Sequence, residues 1–488
     1  MEENQVVVVV VINKINMKKI LIILVVFCSF LGNAQTTDPE ATKTYKKRVL
    51  ENTEVDFISS YYSQDGDNAA VTGGIGTEEL TDIASSLTIS IPLNDDDILT
   101  IDATISAYSS ASSSNLNPFD FDDNEDNNIT AGSPWIESSG ASKSDAWTSL
   151  NFSYDHSSDD RNTIMGANAS FSKEYDYTSI GIGGNFTKLF NEKNTEIGIK
   201  ANAYFDTWQP LFPKEIDAYL DANQNLNNGF FNNIDILDQS GNIIDKNGST
   251  TWSPLNTTLI EDESRNTYSL SISFSQIINK KAQFSIFADI VQQKGWLANP
   301  MQRVYFADRD NYYIGNSSSI SNYTSPTNID VFQLADDIER LPNTRFKIPI
   351  GARLNYYINE VVSLRTYYRY YYDDWGVTSH TADIELPIKI SDKFTLYPSY
   401  RYYNQTAADY FAPYEQLVST DEFYTSDNDL SEFNSNQFGF GVSYTDIFTK
   451  RRIWKLGLKS VDLKYSNYKR NTGLTSGIIS AGFKFVMD

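Results

Sequence analysis

The chain has 488 residues and a formal net charge of −24 at pH 7. This acidic balance, without a basic stripe to neutralise phosphates, argues against nucleic acid as a partner. The single cysteine, Cys28, lies in the N-terminal leader, and the chain has only two histidines, His156 and His380. The mature chain therefore has no disulfide, no thiol nucleophile and no cysteine-ligated metal.

Residues 17–34 have the layout of a secretory signal peptide. Two lysines precede an apolar run (20–31), and small residues follow it. This pattern predicts cleavage after Ala34, so that residues 1–34 form a leader made of an upstream extension and the signal peptide. The rival interpretation is a lipoprotein acylated at Cys28, but bulky residues precede this cysteine and favour the signal peptide.

A short polar segment (35–52) leads into a domain predicted to span 53–488, which alternates apolar and polar residues with a period of two. The clearest run is Phe346, Ile348 and Ile350, whose apolar side chains alternate with polar or small residues. A period of two indicates strands with one apolar face. Sixteen strands are predicted, near 55–64, 83–93, 98–110, 145–156, 162–175, 177–189, 195–208, 265–278, 283–296, 346–358, 362–371, 382–390, 395–402, 435–448, 453–469 and 474–487.

The connections between these strands are sorted by length. Every even connection is short, and long connections follow only odd strands. The long ones are 65–80, 111–144, 209–264, 297–344 and 408–434. This alternation is typical of an outer-membrane barrel with short periplasmic turns and long extracellular loops. A β-propeller would instead show an internal repeat, and none is visible.

Two details of the last strands fit this interpretation. The fifteenth strand changes phase near Ser460, and one extra residue in a β-bulge would restore its apolar face. The final strand is aromatic-rich, as expected of a barrel recognised by the outer-membrane assembly machinery. We therefore predict an all-β fold: a transmembrane antiparallel up-and-down barrel of about sixteen strands in the lipid of the cell outer membrane.

Four segments carry a resemblance to a known family: 60–80, 91–97, 109–115 and 156–162. Together they resemble an uncharacterised outer-membrane β-barrel family of Bacteroidota, classed as a domain of unknown function. The resemblance implies a genomic setting with a flavin transferase, a thioredoxin-like protein and a small lipoprotein. It therefore implies a small lipoprotein or redox partner in the envelope. It supplies no activity and no functional residue.

One part of the predicted lumen is rich in charge. Counting from the short turns places several arginines at about the depth of Asp383. A basic ladder facing acidic residues across a wet lumen sets a field that orients solutes. The alternative, slightly favoured by the sequence, is that these charges neutralise one another and fill the interior. The lumen-lining residues so predicted are Lys347, Arg353, Arg365, Arg369, Asp383, Glu385 and Arg401.

Other motifs give weaker signals. An acidic tract (119–128) and the segment 221–225 have carboxylates that could bind calcium, but solvated loops explain both better, and we predict no cofactor and no metal site. The run Asp155-His156-Ser157 contains catalytic residue types whose side chains alternate between faces, so they do not converge as a triad needs. The glycines at 181–184 precede no helix, and close packing explains them better than phosphate binding.

These patterns predict no enzyme. The leading prediction is a porin-like channel for small solutes or ions, with the loops that begin at Gln209 and Leu297 as candidate plugs or gates. The alternative is a non-conducting structural or partner-binding barrel in an envelope redox assembly associated with protein flavinylation. A lumen filled by folded loops would favour this alternative.

Overall fold

Antiparallel strand pairing closes the chain into a barrel. The computed structural model describes residues 48–487 except 111–114, 117–135, 138–143, 210, 256–262, 325–330 and 447. The predicted leader and the acidic tract 119–128 lie outside the described residues. Each barrel strand pairs with the next along the chain, and the first pairs with the last in an unbroken register from Thr53↔Met487 to Asp65↔Thr475. Both ends of the barrel domain therefore meet at one rim.

The predicted number of sixteen barrel strands is confirmed. They are β1 Thr53–Asp65, β2 Leu80–Pro92, β3 Asp97–Ser110, β4 Ser144–Ser157, β5 Thr163–Lys173, β6 Tyr177–Phe190, β7 Thr195–Trp208, β8 Glu263–Asn279, β9 Ala282–Gly295, β10 Thr344–Tyr357, β11 Ser363–Asp373, β12 Thr378–Glu385, β13 Phe394–Gln405, β14 Phe433–Thr445, β15 Leu456–Arg470 and β16 Thr475–Met487. Two further two-residue strands, Ile388–Lys389 and Arg452–Ile453, extend the same sheet.

Local departures from the predicted bounds have local causes. The register of β15 shifts between Leu458 and Ser460, which confirms the predicted bulge. Strand β12 begins four residues earlier than predicted and stops before Pro387, which has no N–H for the ladder. Pairing with β13 resumes at Ile388–Lys389. The predicted strand near 382–390 is therefore one strand interrupted by a proline.

The outward faces of the strands form an apolar belt. Ile83, Ile182, Phe438 and Ile479 are each more than half exposed. Burying one such side chain in an apolar medium is worth about 1.5–3 kcal/mol, so a belt of them left in water would be strongly unfavourable. The belt instead matches the hydrocarbon core of a bilayer. Among the described residues, no helix is long and apolar enough to cross a membrane.

The connections separate into two rims. We call the rim with the short turns the turn end and the opposite rim the loop end. The turn-end connections include 93–96, 158–162, 191–194 and 280–281, whereas the loop end carries 66–79, 209–262, 296–343 and 406–432. Three loop-end connections, after β5, β11 and β15, are short, as predicted.

The long loops fold together into one body, here called the loop cap (the described parts of 66–79, 209–255, 296–343 and 406–432). It contains one α-helix, α1 Lys214–Asp221. A three-stranded sheet joins Ile236–Asp238, Tyr312–Gly315 and Val331–Gln333. The other short elements of the loops are the 3₁₀ turns Ala70–Thr72, Gly229–Asn233, Ser317–Asn322 and Asn428–Leu430, the pair Arg303–Val304 with Asp337–Ile338, and the pair Asn115–Leu116 with Ile136–Glu137, which lies in the loop after β3.

The main hydrophobic clusters of the described residues lie in the loop cap. One surrounds Trp252, Phe231 and Phe332, all fully buried, and joins loop 209–255 to loop 296–343. Another packs Phe306 against Tyr424 and so adds loop 406–432. The barrel exposes its apolar side chains, whereas the cap buries its own. The cap therefore has a buried apolar core like that of a water-soluble domain, and it is attached to a barrel whose apolar side chains face the membrane.

Adjacent residues of β3 give a test of the two faces. Ile105 faces outward and is half exposed, whereas Thr104 faces the lumen and bonds Ser86. We expect Ile105→Arg to destabilise the barrel by about 2–4 kcal/mol because it places a charge in lipid. Thr104→Arg, the matched control, should have little effect. Urea titration of the barrel in vesicles, read by its heat-dependent gel shift, measures both, and equal losses would contradict the assigned faces.

Candidate functional site: the lumen beneath the loop cap

Three of the predicted lumen-lining arginines, Arg353, Arg369 and Arg401, line a cavity inside the barrel and are here called the arginine wall. Inward-facing positions of β10, β11, β12 and β13 bring Arg353, Arg369, Asp383 and Arg401 around one space of about 740 Å³. The strand register brings these side chains together, because Asp383 lies directly opposite Arg401 on β13 and opposite Tyr367 on β11. Four of the seven predicted lumen residues therefore belong to one site.

Part of the predicted charge neutralisation takes place. Arg401 Nε lies 3.1 Å from Asp383 Oδ2. Nearer the turn end, Arg365 Nη1 lies 2.9 Å from Glu385 Oε1, and Lys464 approaches the same carboxylate at 3.7 Å. Both arginines remain about half exposed to the lumen. These pairs fix side-chain directions in water-filled space and contribute little to stability.

Two arginines of the wall remain outside this pairing. Within the described part of the chain, neither Arg353 nor Arg369 has an acidic partner within 4 Å, and the Nε of Arg369 is buried without a hydrogen bond. The Arg353 guanidinium lies 5.4 Å from the ring centres of both Phe287 and Tyr367. These two rings are nearly parallel, 5.8 Å apart. Cation–π contacts therefore hold Arg353 in place without neutralising its charge.

The other predicted lumen residue lies apart. Lys347 is half-buried near the loop end of β10, opposite Asp373, and does not line the cavity. The carboxylate of Asp373 is instead bound by Arg345, with Arg345 Nε 2.9 Å from Asp373 Oδ2. The prediction that Lys347 faces inward agrees with its register, but its depth separates it from the arginine wall.

Two further charged residues line the cavity, Arg470 and Asp429, and neither belongs to the predicted lumen set. Arg470 Nη1 lies 2.9 Å from Asp429 Oδ1, and the Arg470 guanidinium lies 4.0 Å from the Phe433 ring centre. The alternation of side chains after the bulge in β15 places Arg470 inward, so the sequence pattern already indicates that Arg470 faces the lumen. Asp429 belongs to loop 406–432 and comes to the wall only through the folding of the cap, which no local pattern encodes.

The Arg470–Asp429 pair also marks the boundary between two cavities. A second space of about 500 Å³ lies between wall residues such as Tyr62 and cap residues such as Gln302. Both cavities share Asp429, Gln437, Tyr468 and Arg470. A cap loop and the barrel wall therefore meet at an ion pair where the lumen passes from one cavity to the next.

An acidic wall stands across the barrel from the arginines. Asp102 of β3 accepts hydrogen bonds from Thr88 and Asn151, and Asp155 of β4 accepts one from Asn185. None of these three hydrogen-bond partners carries a charge. Strand β3 lies eight positions from β11 around the sixteen-stranded barrel, which is diametrically opposite. The lumen therefore has a transverse electric polarity.

The loop cap is organised around a fully buried ion pair. Arg303 donates to both carboxylate oxygens of Glu215 of α1, at 2.7 and 3.0 Å, and to the backbone carbonyl of Val71 at 3.2 Å. Arg303 and Glu215 are both 0 % exposed. The pair joins three loops far apart in sequence. The apolar spacing of Phe212, Ile216 and Tyr219 is a helix signal within the stretch predicted as a loop (209–264).

Several other carboxyl groups are buried in the cap. Burial raises the pKa of Glu339 to about 8, and the nearby charge of Asp427 adds to this. Burial raises the pKa of Asp336 to about 7 and that of Asp427 to about 6. Glu339 accepts hydrogen bonds from the Asn299 backbone N–H at 2.6 Å and from Thr425 Oγ1. Protonation of these groups near neutral pH therefore favours the folded cap.

The remaining sequence motifs have structural explanations. His156 bonds Asp97 across the strand pair at 2.6 Å rather than Asp155. A Cβ at Gly183 would overlap the Asn168 and Asn202 side chains, so the glycines of β6 allow close packing in the lumen. Asp221 ends helix α1. In the described ranges, no three His, Cys, Asp or Glu side chains cluster as metal ligands would.

A closed, even-numbered antiparallel barrel with an apolar outer belt and a charged lumen defines a transmembrane barrel of the outer-membrane type. The chain belongs to the family described as "Protein of unknown function (DUF3570)", whose model matches residues 23–477. This confirms the predicted membership of a family of unknown function.

Solved barrels resemble the chain only distantly. A bacterial polysaccharide outer-membrane secretin is 8% identical, with a TM-score of 0.39, 90% of this chain covered and 99% of that chain. A FadL homologue of Pseudomonas aeruginosa is 10% identical, with a TM-score of 0.36 and coverage of 89% and 90%. The outer membrane protein opdK of the same organism is 7% identical, with a TM-score of 0.35 and coverage of 89% and 99%. No curated protein sequence matches the chain.

The buried ion pair predicts a specific weakness of the cap. Glu215→Gln leaves the Arg303 charge buried without its partner, which costs about 3–5 kcal/mol. We expect faster hydrogen exchange in the cap and an unchanged gel shift of the barrel. Asp221→Asn, at the exposed end of the same helix, is the matched control and should leave exchange unchanged. Equal protection of all three proteins would contradict this role for the pair.

The buried carboxyls predict a pH dependence of the cap. The folded cap keeps a proton on Glu339 up to about pH 8, whereas the unfolded cap releases it near the ordinary value of 4.5. The contribution of Glu339 to the stability of the cap is therefore greatest below pH 4.5 and falls as the pH rises from there through 8, by about 1.4 kcal/mol per unit. Protease resistance of the cap should fall from pH 5 to pH 8, and Glu339→Gln should flatten this dependence. A profile unchanged by that substitution would contradict the assignment.

Proposed function

We propose that the chain is an outer-membrane channel for small solutes or ions whose mouth is closed by the loop cap. The observation that carries this proposal is the pair of polar cavities beneath the cap, about 740 and 500 Å³, which meet at Arg470 and Asp429. A barrel of this size leaves an aqueous channel unless loops fill it. The transverse polarity of the lumen suits the orientation and selection of charged solutes.

The leader completes this proposal. The signal peptide (17–34) directs export, the leader (1–34) is removed after Ala34, and residues 35–52 remain in the periplasm. The assembly machinery then inserts the barrel into outer-membrane lipid through its aromatic final strand, with the turn end in the periplasm. The loop cap consequently faces the outside, where it meets solutes before the lumen does. No catalytic chemistry and no cofactor is required of the chain.

A second function is favoured by the cap itself. A cap with its own hydrophobic core, closed over the mouth, also suits a non-conducting barrel that anchors a partner. The partner would be a small lipoprotein or redox protein of a flavinylation-associated envelope assembly. Co-purification of one stoichiometric partner from native membranes, together with an electrically silent barrel, would favour this function over the channel.

Conductance in a planar bilayer decides between the two. We expect rare openings of the wild-type barrel and more frequent openings of Glu215→Gln, because the substitution loosens the cap. Asp221→Asn should behave as wild type. A salt gradient should reveal anion preference, and Arg369→Ala should reduce it. Silence from both the wild type and Glu215→Gln, with an intact gel shift, would overturn the channel proposal.

A further inference from the structure

The 740 Å³ cavity carries an excess of positive charge in an otherwise acidic protein. Four arginines line it (Arg353, Arg369, Arg401 and Arg470), against two aspartates, Asp383 and Asp429. The aspartates each pair with one arginine, Arg401 and Arg470. Among the described residues, no carboxylate neutralises Arg353 or Arg369, so two positive charges remain. The cavity therefore has a local charge of about +2, although the whole protein has a net charge of −24.

The structure holds Arg353 and Arg369 in position, but no carboxylate of the described residues neutralises either of them. The Nε of Arg369 is shielded from water and has no acceptor in the described part of the chain, which is unfavourable for a charged donor. Arg353 is fixed by the rings of Phe287 and Tyr367. A Cβ at Gly351 would overlap the Phe287 ring, so the glycine is needed for that ring to lie there. Both guanidinium groups can therefore bind an acceptor of opposite charge.

The rest of the lining indicates the kind of molecule. Thr381, Ser435, Gln437 and Tyr403 offer hydroxyl and amide groups around the same space. Such groups recognise a hydroxylated solute, whereas guanidinium groups bind carboxylate or phosphate through paired hydrogen bonds. We propose that this cavity is a binding site for a small hydroxylated organic anion, whose carboxylate or phosphate lies between Arg353 and Arg369.

This inference deepens the channel proposal and rests on it for its biological meaning, but binding itself does not require conduction. Anion binding by a silent barrel would support the site and overturn the channel. Conduction by a barrel that binds no anion would support the channel and overturn the site. The two proposals therefore fail separately.

Calorimetry on the full-length folded barrel tests the site. The probes are glucuronate, glucose 6-phosphate, inorganic phosphate and glucose, each added to the wild type and to Glu215→Gln, whose loosened cap admits solutes. We expect both sugar anions to bind more tightly than inorganic phosphate, and glucose not to bind. Binding to Glu215→Gln alone would support the site and assign a barrier to the cap. Inorganic phosphate bound as tightly as the sugar anions, or no anion bound by either protein, would overturn the proposal.

Substitutions then locate the site. Arg369→Gln and Arg353→Gln should each weaken sugar-anion binding by about tenfold or more, the loss expected for charge-assisted hydrogen bonds. Arg369→Lys, which keeps the charge but not the paired donors, should weaken it less. Arg365→Gln is the matched control, an inward arginine of the same strand outside the cavity. The gel shift verifies that each variant folds, and equal effects of the Arg365 and Arg369 substitutions would overturn the assignment.

Discussion

The pairing of the first strand with the last is the interaction on which the rest of the structure depends. A sheet left open would present unpaired N–H and C=O groups to lipid, where no water satisfies them. The thirteen register pairs between Thr53–Asp65 and Thr475–Met487 remove that edge. Closure also encloses a lumen, and a lumen is what permits charged side chains to face inward while apolar ones face the membrane.

The lumen and the loop cap are built by different physical rules. Inward residues of the barrel contact water, so their ion pairs are exposed and serve mainly to direct side chains. The cap excludes water, and its Arg303–Glu215 pair and its protonated carboxyls depend on that exclusion. The two regions meet at Arg470 and Asp429, where a wall residue contacts a cap residue. A change in the packing of the cap therefore directly affects the side chains that line the cavity.

Local alternation made the barrel predictable, and long-range folding made the cap unpredictable. The period of two placed Ile105 outward and Arg401 inward, and the phase change near Ser460 located the bulge. Counting residues from the short turns also placed Arg401 at the depth of Asp383, because antiparallel register is a local property. By contrast, Glu215 and Arg303 are 88 residues apart, and no periodicity connects them. That Arg369 has no acidic partner among the described residues likewise depends on neighbours from several strands.

The composition of the cap has a consequence for biogenesis. Its contacts join loops that only the closed barrel brings together, such as Val71 with Arg303, which are 232 residues apart. Contacts at such separation form late, after closure has already removed the loop entropy that opposes them. In the proposed orientation, with the loop cap outside, the cap segments cross the membrane unfolded and assemble on the far side. In that orientation, maturation of the protein ends outside the cell with the folding of a water-soluble core, beyond the reach of chaperones that depend on ATP.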